Sequence, residues 1–114
     1  MKLSAKTEGP VQVVTVIDDR IDAAVALEFK ETMRQVTETA PDVVVLDLAG
    51  VTFIDSSGLG AIVATMKHLS PERSLALAGL TGPVDRVFRL TRMDSVFNLY
   101  PTLADALKNE PRPA

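Results

Sequence analysis

The chain contains no cysteine, no tryptophan and a single histidine, His68. Without cysteine there is no disulfide scaffold, thiolate zinc site, iron–sulfur cluster or cysteine nucleophile. One histidine rules out a His-rich metal site. No apolar run approaches the ~20 residues of a membrane helix. The first residues, Met1 to Glu8, hold no apolar stretch of a signal peptide. A cytoplasmic protein with no membrane insertion is therefore expected. Excess positive charge is also missing: twelve Lys and Arg face fifteen Asp and Glu, a formal net charge of −3. Nucleic acid and anionic membranes need clustered positive charge, so neither is expected as the main partner.

What is present fits one globular domain. The 114 residues include 46% hydrophobic ones, too many for disorder, and the length suits a single core. Val11 to Ile17 is β-branched and mostly apolar and reads as a strand. Gly9-Pro10 before it marks a turn, so residues 3–8 are expected to form a hairpin partner. Asp18 to Asp22 reads as a polar turn, with Asp22 placed as a helix N-cap. Ala26, Phe29, Met33 and Val36 recur at helical spacing, and Pro41 stops that helix. Val43 to Leu46 is continuously apolar, which suggests a central strand covered on both faces. Val51 to Ile54 is a second short apolar stretch. A helix from about Ser57 follows, with Leu59, Ile62, Val63 and Met66 as its inner stripe and Ser70-Pro71 as its break. Ser74 to Ala78 is another strand.

Thr81-Gly82-Pro83 opens a third helix, with Val84, Val87, Phe88 and Thr91 facing inward. Val96 to Leu99 is a short strand. Thr102 to Asp105 resembles a capping box that starts a last helix through Leu107. From Asn109 on, two prolines suggest a frayed tail. Phe29, Phe53 and Phe88 are expected in the core. Strands and helices alternate, so an α/β domain with a mixed, mostly parallel sheet is predicted, of about four to five strands and about four helices.

The segment carrying the most chemical information is Asp55-Ser56-Ser57-Gly58-Leu59-Gly60. It leaves a strand-like run and opens a helix, so two hydroxyls lie where free amides and the helix dipole favour negative charge. Gly58 and Gly60 bear no side chain, which lets another surface approach. A serine here either caps the helix or accepts a phosphate. Other site types fail on spacing. No Lys follows at P-loop distance, Val63 stands where a dinucleotide fingerprint needs its third glycine, and no nucleophile elbow is present. His68 lies about 12 residues beyond Ser56, roughly 18 Å along a straight helix, and cannot activate it. It reads as a solvated residue at the helix C-terminus. Arg86, Arg89 and Arg92 read as a solvated face with Asp85 and Asp94 nearby. Asp18, Asp19 and Asp22 lack a second cluster that would complete a metal site.

Phe53-Ile54-Asp55-Ser56-Ser57-Gly58-Leu59-Gly60 resembles the signature of bacterial anti-sigma factor antagonists, single-domain members of the STAS superfamily. The likeness extends to Val13–Asp22, Val43–Leu48 and Val84–Phe97. It implies a STAS-type domain over residues 1–110 with a disordered tail at 111–114. It also implies a non-enzymatic, cofactor-free regulator. The partners would be an anti-sigma factor that doubles as a serine kinase of the histidine-kinase-like ATPase fold, and a PP2C-type phosphatase. Carried over, Ser56 is the phosphoacceptor, with Ser57 as second choice. Asp22, Asp55, Ser57, Gly58 and Leu59 would form the partner-binding surface. The free amides at the helix start are expected to hold the phosphate. The family usually has Gly where this chain has Asp19. The competing implication is a soluble STAS accessory subunit of a lipid-transport ABC system.

Overall fold

The computed structural model describes residues 2–110. The elements are β1 (Leu3–Glu8), β2 (Val11–Val16), β3 (Arg20–Ile21), α1 (Ala26–Val36), β4 (Val43–Asp47), β5 (Phe53–Ile54), α2 (Ser56–Leu69), β6 (Ser74–Ala78), α3 (Gly82–Leu90), β7 (Leu99–Tyr100) and α4 (Leu103–Asn109), with a 3₁₀ turn at Met93–Ser95. The main sheet has five strands in the order β1-β2-β4-β6-β7. The β1–β2 pair is antiparallel and the rest are parallel. The α/β class and the mixed, mostly parallel sheet are as read from the sequence. Gly9, at φ 60°, makes the hairpin turn that a β-carbon would oppose.

The continuous apolar run of β4 follows from its central place. Val44 and Leu46 join Val14, Val16, Leu75 and Leu77 on one face, where Phe29, Met33, Ile62, Leu69, Val84 and Phe88 of α1, α2 and α3 cover them. Val43 and Val45 join Val11, Val13, Ala76 and Ala78 on the other face, under Ala106 of α4. The alanines of β6 leave room for that helix. Each fully buried aliphatic or aromatic side chain contributes about 1.5–3 kcal/mol, so the three-helix face carries most of the stabilisation. At the C-terminal edge Thr102 caps α4 by accepting the Asp105 amide at 3.1 Å, as the box pattern indicates.

Several expectations need correction. Asp22 does not cap α1: the helix starts at Ala26, its N-cap is Val25, and no side chain bonds there. The Asp22 carboxylate closes its own turn instead, accepting from the Ala24 amide at 3.1 Å and Arg20 Nε at 3.2 Å. Residues 18–22 are not only a turn, because Arg20–Ile21 forms β3, which pairs in parallel with β5 as a second small sheet. The buried face of α2 is Gly58, Ala61, Ile62, Thr65 and Leu69. Leu59, Val63 and Met66 are only half-buried, because the helix is rotated to bring Gly58 against β3. Phe53 is 40% exposed rather than core. Thr91 is exposed as well.

The last strand starts later than expected. Phe97 turns inward and packs edge-on against Phe88, ring centroids 6.0 Å apart, so pairing with β6 begins at Leu99. Nor does the tail begin at Asn109, which ends α4. Glu110 is buried and accepts from Tyr100 Oη at 2.5 Å and Asn98 Nδ2 at 3.0 Å. The expected tail at 111–114 lies outside the described residues.

Candidate functional site

The small β3–β5 sheet places the serines. Its register sets Arg20 beside Phe53 and Ile21 beside Ile54, so the residues that follow each strand, Asp22 and Asp55, leave it side by side. The Asp19 carbonyl anchors the pairing from below, accepting from the amides of Thr52 (2.8 Å) and Phe53 (3.3 Å). Arg20 lies over the Phe53 ring at 4.1 Å and shields the exposed aromatic face.

Asp55 is the N-cap of α2, with extended backbone. Its Oδ1 accepts the Gly58 amide at 2.9 Å, and its Oδ2 accepts the Ala23 amide at 3.0 Å. One carboxylate thus joins the start of α2 to the loop that follows β3. The Gly58 amide is the chief reason its pKa lies below the ordinary carboxyl value; partial burial opposes this and the Ala23 amide adds to it. Hydrogen bonds made only to the ionised form favour that form.

Gly58 sits directly under β3. A β-carbon there would lie 2.0 Å from the Ile21 carbonyl oxygen and 2.8 Å from its carbon. The glycine's lack of a side chain therefore serves an internal contact, not a partner. Gly58, expected in the partner-binding surface, is buried. Gly60 is different: it is exposed, and a β-carbon there meets nothing within 4 Å.

The other expected residues come together. Ser56 and Ser57 stand exposed on the first turn of α2, and Asp22 and Asp55 are half-buried beside them. Leu59 is half-buried and packs against the core. Among the described residues neither serine hydroxyl has a hydrogen-bond partner. The serines do not cap the helix, since Asp55 does. Of the helix-start amides expected to hold a phosphate, that of Gly58 is already taken by Asp55. His68 lies exposed in the last turn of α2, at the opposite end from the serines. Arg89 of the basic face pairs with Asp85 at 2.9 Å and Asp94 at 3.7 Å.

Three features of this corner had little sequence signal. Ala23 contributes only its backbone amide, which any residue supplies. Phe53 sits in an apolar run that reads as core. Leu27, 68% exposed in the first turn of α1, borders an open cleft of about 330 Å³ together with Lys30, Ser57, Gly60 and Ala64. A leucine outside the periodic stripe of α1 was the available clue.

The model of the STAS domain family matches residues 2–106. The chain belongs to the STAS domain family. Relatives of this STAS domain include the anti-sigma-F factor antagonist RsfB of Mycobacterium tuberculosis, 30% identical over 91 residues, covering 80% of this chain and 75% of that protein. The anti-sigma-B factor antagonist of Listeria monocytogenes is 32% identical over 80 residues, 69% of this chain and 70% of that protein. Among solved structures, an anti-sigma factor antagonist from Mycobacterium paratuberculosis superposes with a TM-score of 0.84 at 32% identity, covering 94% of this chain and 91% of that one. In the STAS domain described here, Asp19 sits in its turn without strain. Its side chain is exposed, its carbonyl does the bonding, and Arg92 is the one non-glycine residue with positive φ among those described.

Proposed function

We propose that this STAS domain is an anti-sigma factor antagonist switched by phosphorylation at Ser56. The observation that carries the reading is the placement of Ser56: an exposed, unbonded hydroxyl on the first turn of α2, beside the carboxylates of Asp55 and Asp22. Its similarity to anti-sigma factor antagonists supports the same role. The partner is an anti-sigma factor that is also a serine kinase of the histidine-kinase-like ATPase fold, and a PP2C-type phosphatase resets the switch. Asp22, Asp55, Ser57 and Leu59 frame the contact surface. The chain acts as a regulator rather than an enzyme, a reading supported by its similarity to anti-sigma factor antagonists.

In this reading the partner transfers the γ-phosphoryl of ATP to Ser56 Oγ, releasing ADP. The phosphoserine adds roughly −1.5 to −2 charge. A surface matched to a neutral hydroxyl must then desolvate a dianion beside two carboxylates. Burying uncompensated charge costs several kcal/mol, and each 1.4 kcal/mol is tenfold in affinity, so the complex dissociates without any change of fold.

The test is to copurify the unmodified protein's partner and supply it with ATP. One phosphate on Ser56 is expected. Ser56→Ala should block modification and keep binding, and Ser56→Asp should weaken binding. A phosphate mapped by mass spectrometry away from Ser56 and Ser57 would overturn the reading. So would recovery of a transporter ATPase in place of a kinase, which is the outcome an ABC accessory subunit would give.

A further inference from the structure

A helix start is normally where a phosphate can settle, because its first amides lack partners and the dipole favours an anion. In α2 that end is already occupied by an anion. Asp55 Oδ1 holds the Gly58 amide at 2.9 Å, Oδ2 holds the Ala23 amide at 3.0 Å, and the Asp55 carbonyl takes the Leu59 amide at 2.9 Å. Both carboxylate oxygens are therefore engaged with backbone donors, one in the first turn of α2 and one in the loop after β3. The clasp is reinforced from below, where the Asp55 amide reaches the Ile21 carbonyl at 3.4 Å and Gly58 packs on the same carbonyl.

We infer that Asp55 is the positioning residue of the switch: its carboxylate holds the Gly58 amide of α2, so a phosphate on Ser56 is denied that donor and turns its charge to the partner. This rests on the proposed role of Ser56 and adds how that role gains its contrast. A phosphate drawn into the helix amides would be partly neutralised, and the partner would meet a smaller change. Asp55 prevents that twice over, by occupying the Gly58 amide and by repelling a second anion one residue away. It also ties the Asp22 loop to the serines, so the partner meets one rigid surface before and after modification.

The experiment installs phosphoserine at position 56 during translation, so that no kinase is required. The phosphate is titrated by ³¹P NMR while the Gly58 and Ala23 amides are followed by ¹H–¹⁵N spectra. In the native background the phosphate should titrate at or above the pH found for a phosphoserine peptide of residues 50–62. The Gly58 amide should stay still through that titration and move only at acid pH, with Asp55. In Asp55→Ala, which leaves no capping oxygen, the phosphate's midpoint should fall by roughly half a pH unit, and the Gly58 amide should now move with it. The amide readout separates capture of the phosphate from mere loss of a neighbouring charge. Asp55→Gly, which also removes the capping oxygen and is tolerated at an N-cap, serves as the second variant and should show the same transfer.

The inference is overturned if the native phosphate titrates below the peptide with Gly58 moving alongside, or if neither variant couples Gly58 to the phosphate. The native titration alone decides should both variants unfold. Because the phosphoserine is installed directly, a failure of the kinase to label Ser56 would sink the proposed function and leave this result standing. Labelling of Ser56 together with a captured phosphate would do the reverse.

Discussion

At the residue scale, the two glycines that bracket Leu59 have opposite meanings although they look alike in the sequence. A β-carbon on Gly58 collides with the backbone of β3, at 2.0 Å from the Ile21 oxygen. Backbone cannot swing away as a flexible side chain can, so the β3–β5 sheet would have to separate from α2. Gly58→Ala is therefore expected to cost about 3 kcal/mol, at the upper end of ordinary overpacking. Gly60 is helical and open, and Gly60→Ala should gain up to about 1 kcal/mol from helix propensity alone. Urea denaturation of the two variants measures both, and equal effects would show that the α2–β3 contact is not the constraint described. In the sequence, both glycines pointed to close approach by something. Only the fold tells that for Gly58 the approaching surface is the protein's own.

At the element scale, legibility tracked the amount of repeated pattern. The long elements carry several turns or alternations each. Phe29 and Met33 of α1, Val84 and Phe88 of α3, and the unbroken run of β4 were enough to set the class and the main sheet. The strands β3 and β5 have two residues each, too few for any period, and their pairing joins residues more than thirty positions apart. The site depends on that pairing, so its serines could be picked out from the sequence while its clasp could not. Asp22 illustrates the difficulty: an aspartate before a helix suits a cap, yet the same carboxylate can close a local turn, and the turn is what forms. The C-terminal element was misjudged for a related reason. Two prolines after Asn109 suggested fraying, but α4 has only seven residues and is too short to hold itself. It is held by Ala106 in the second core and by Glu110 against β7. Tyr100→Phe, which removes the 2.5 Å hydrogen bond to Glu110, is expected to cost about 1–2 kcal/mol. The accompanying loss of amide exchange protection should be confined to α4 and β7. Loss spread evenly over all four helices would mean that α4 is not a separate unit of stability.

At the scale of the whole molecule, the proposed switch raises the question of how one added group can govern a complex when the protein already carries a net charge of −3. Phosphorylation moves that total to roughly −5. If the total mattered, the effect would act at long range and salt would screen it. The Debye length falls from about 10 Å at 0.1 M to about 3 Å at 1 M. The geometry favours the local alternative. Ser56 stands on a clasped corner whose half-buried carboxylates already hold the Gly58, Ala23 and Ala24 amides, so the new charge must be desolvated on contact. Desolvation depends on burial, not on the ionic atmosphere. The ratio of partner affinities for unmodified and phosphorylated protein should accordingly survive in large part between 0.1 and 1 M salt, about the range over which a purely long-range effect would vanish. Isothermal titration of both forms against the same partner measures it. Convergence of the two affinities at 1 M salt would show that the field of the whole protein, and not the buried corner at Ser56, drives release.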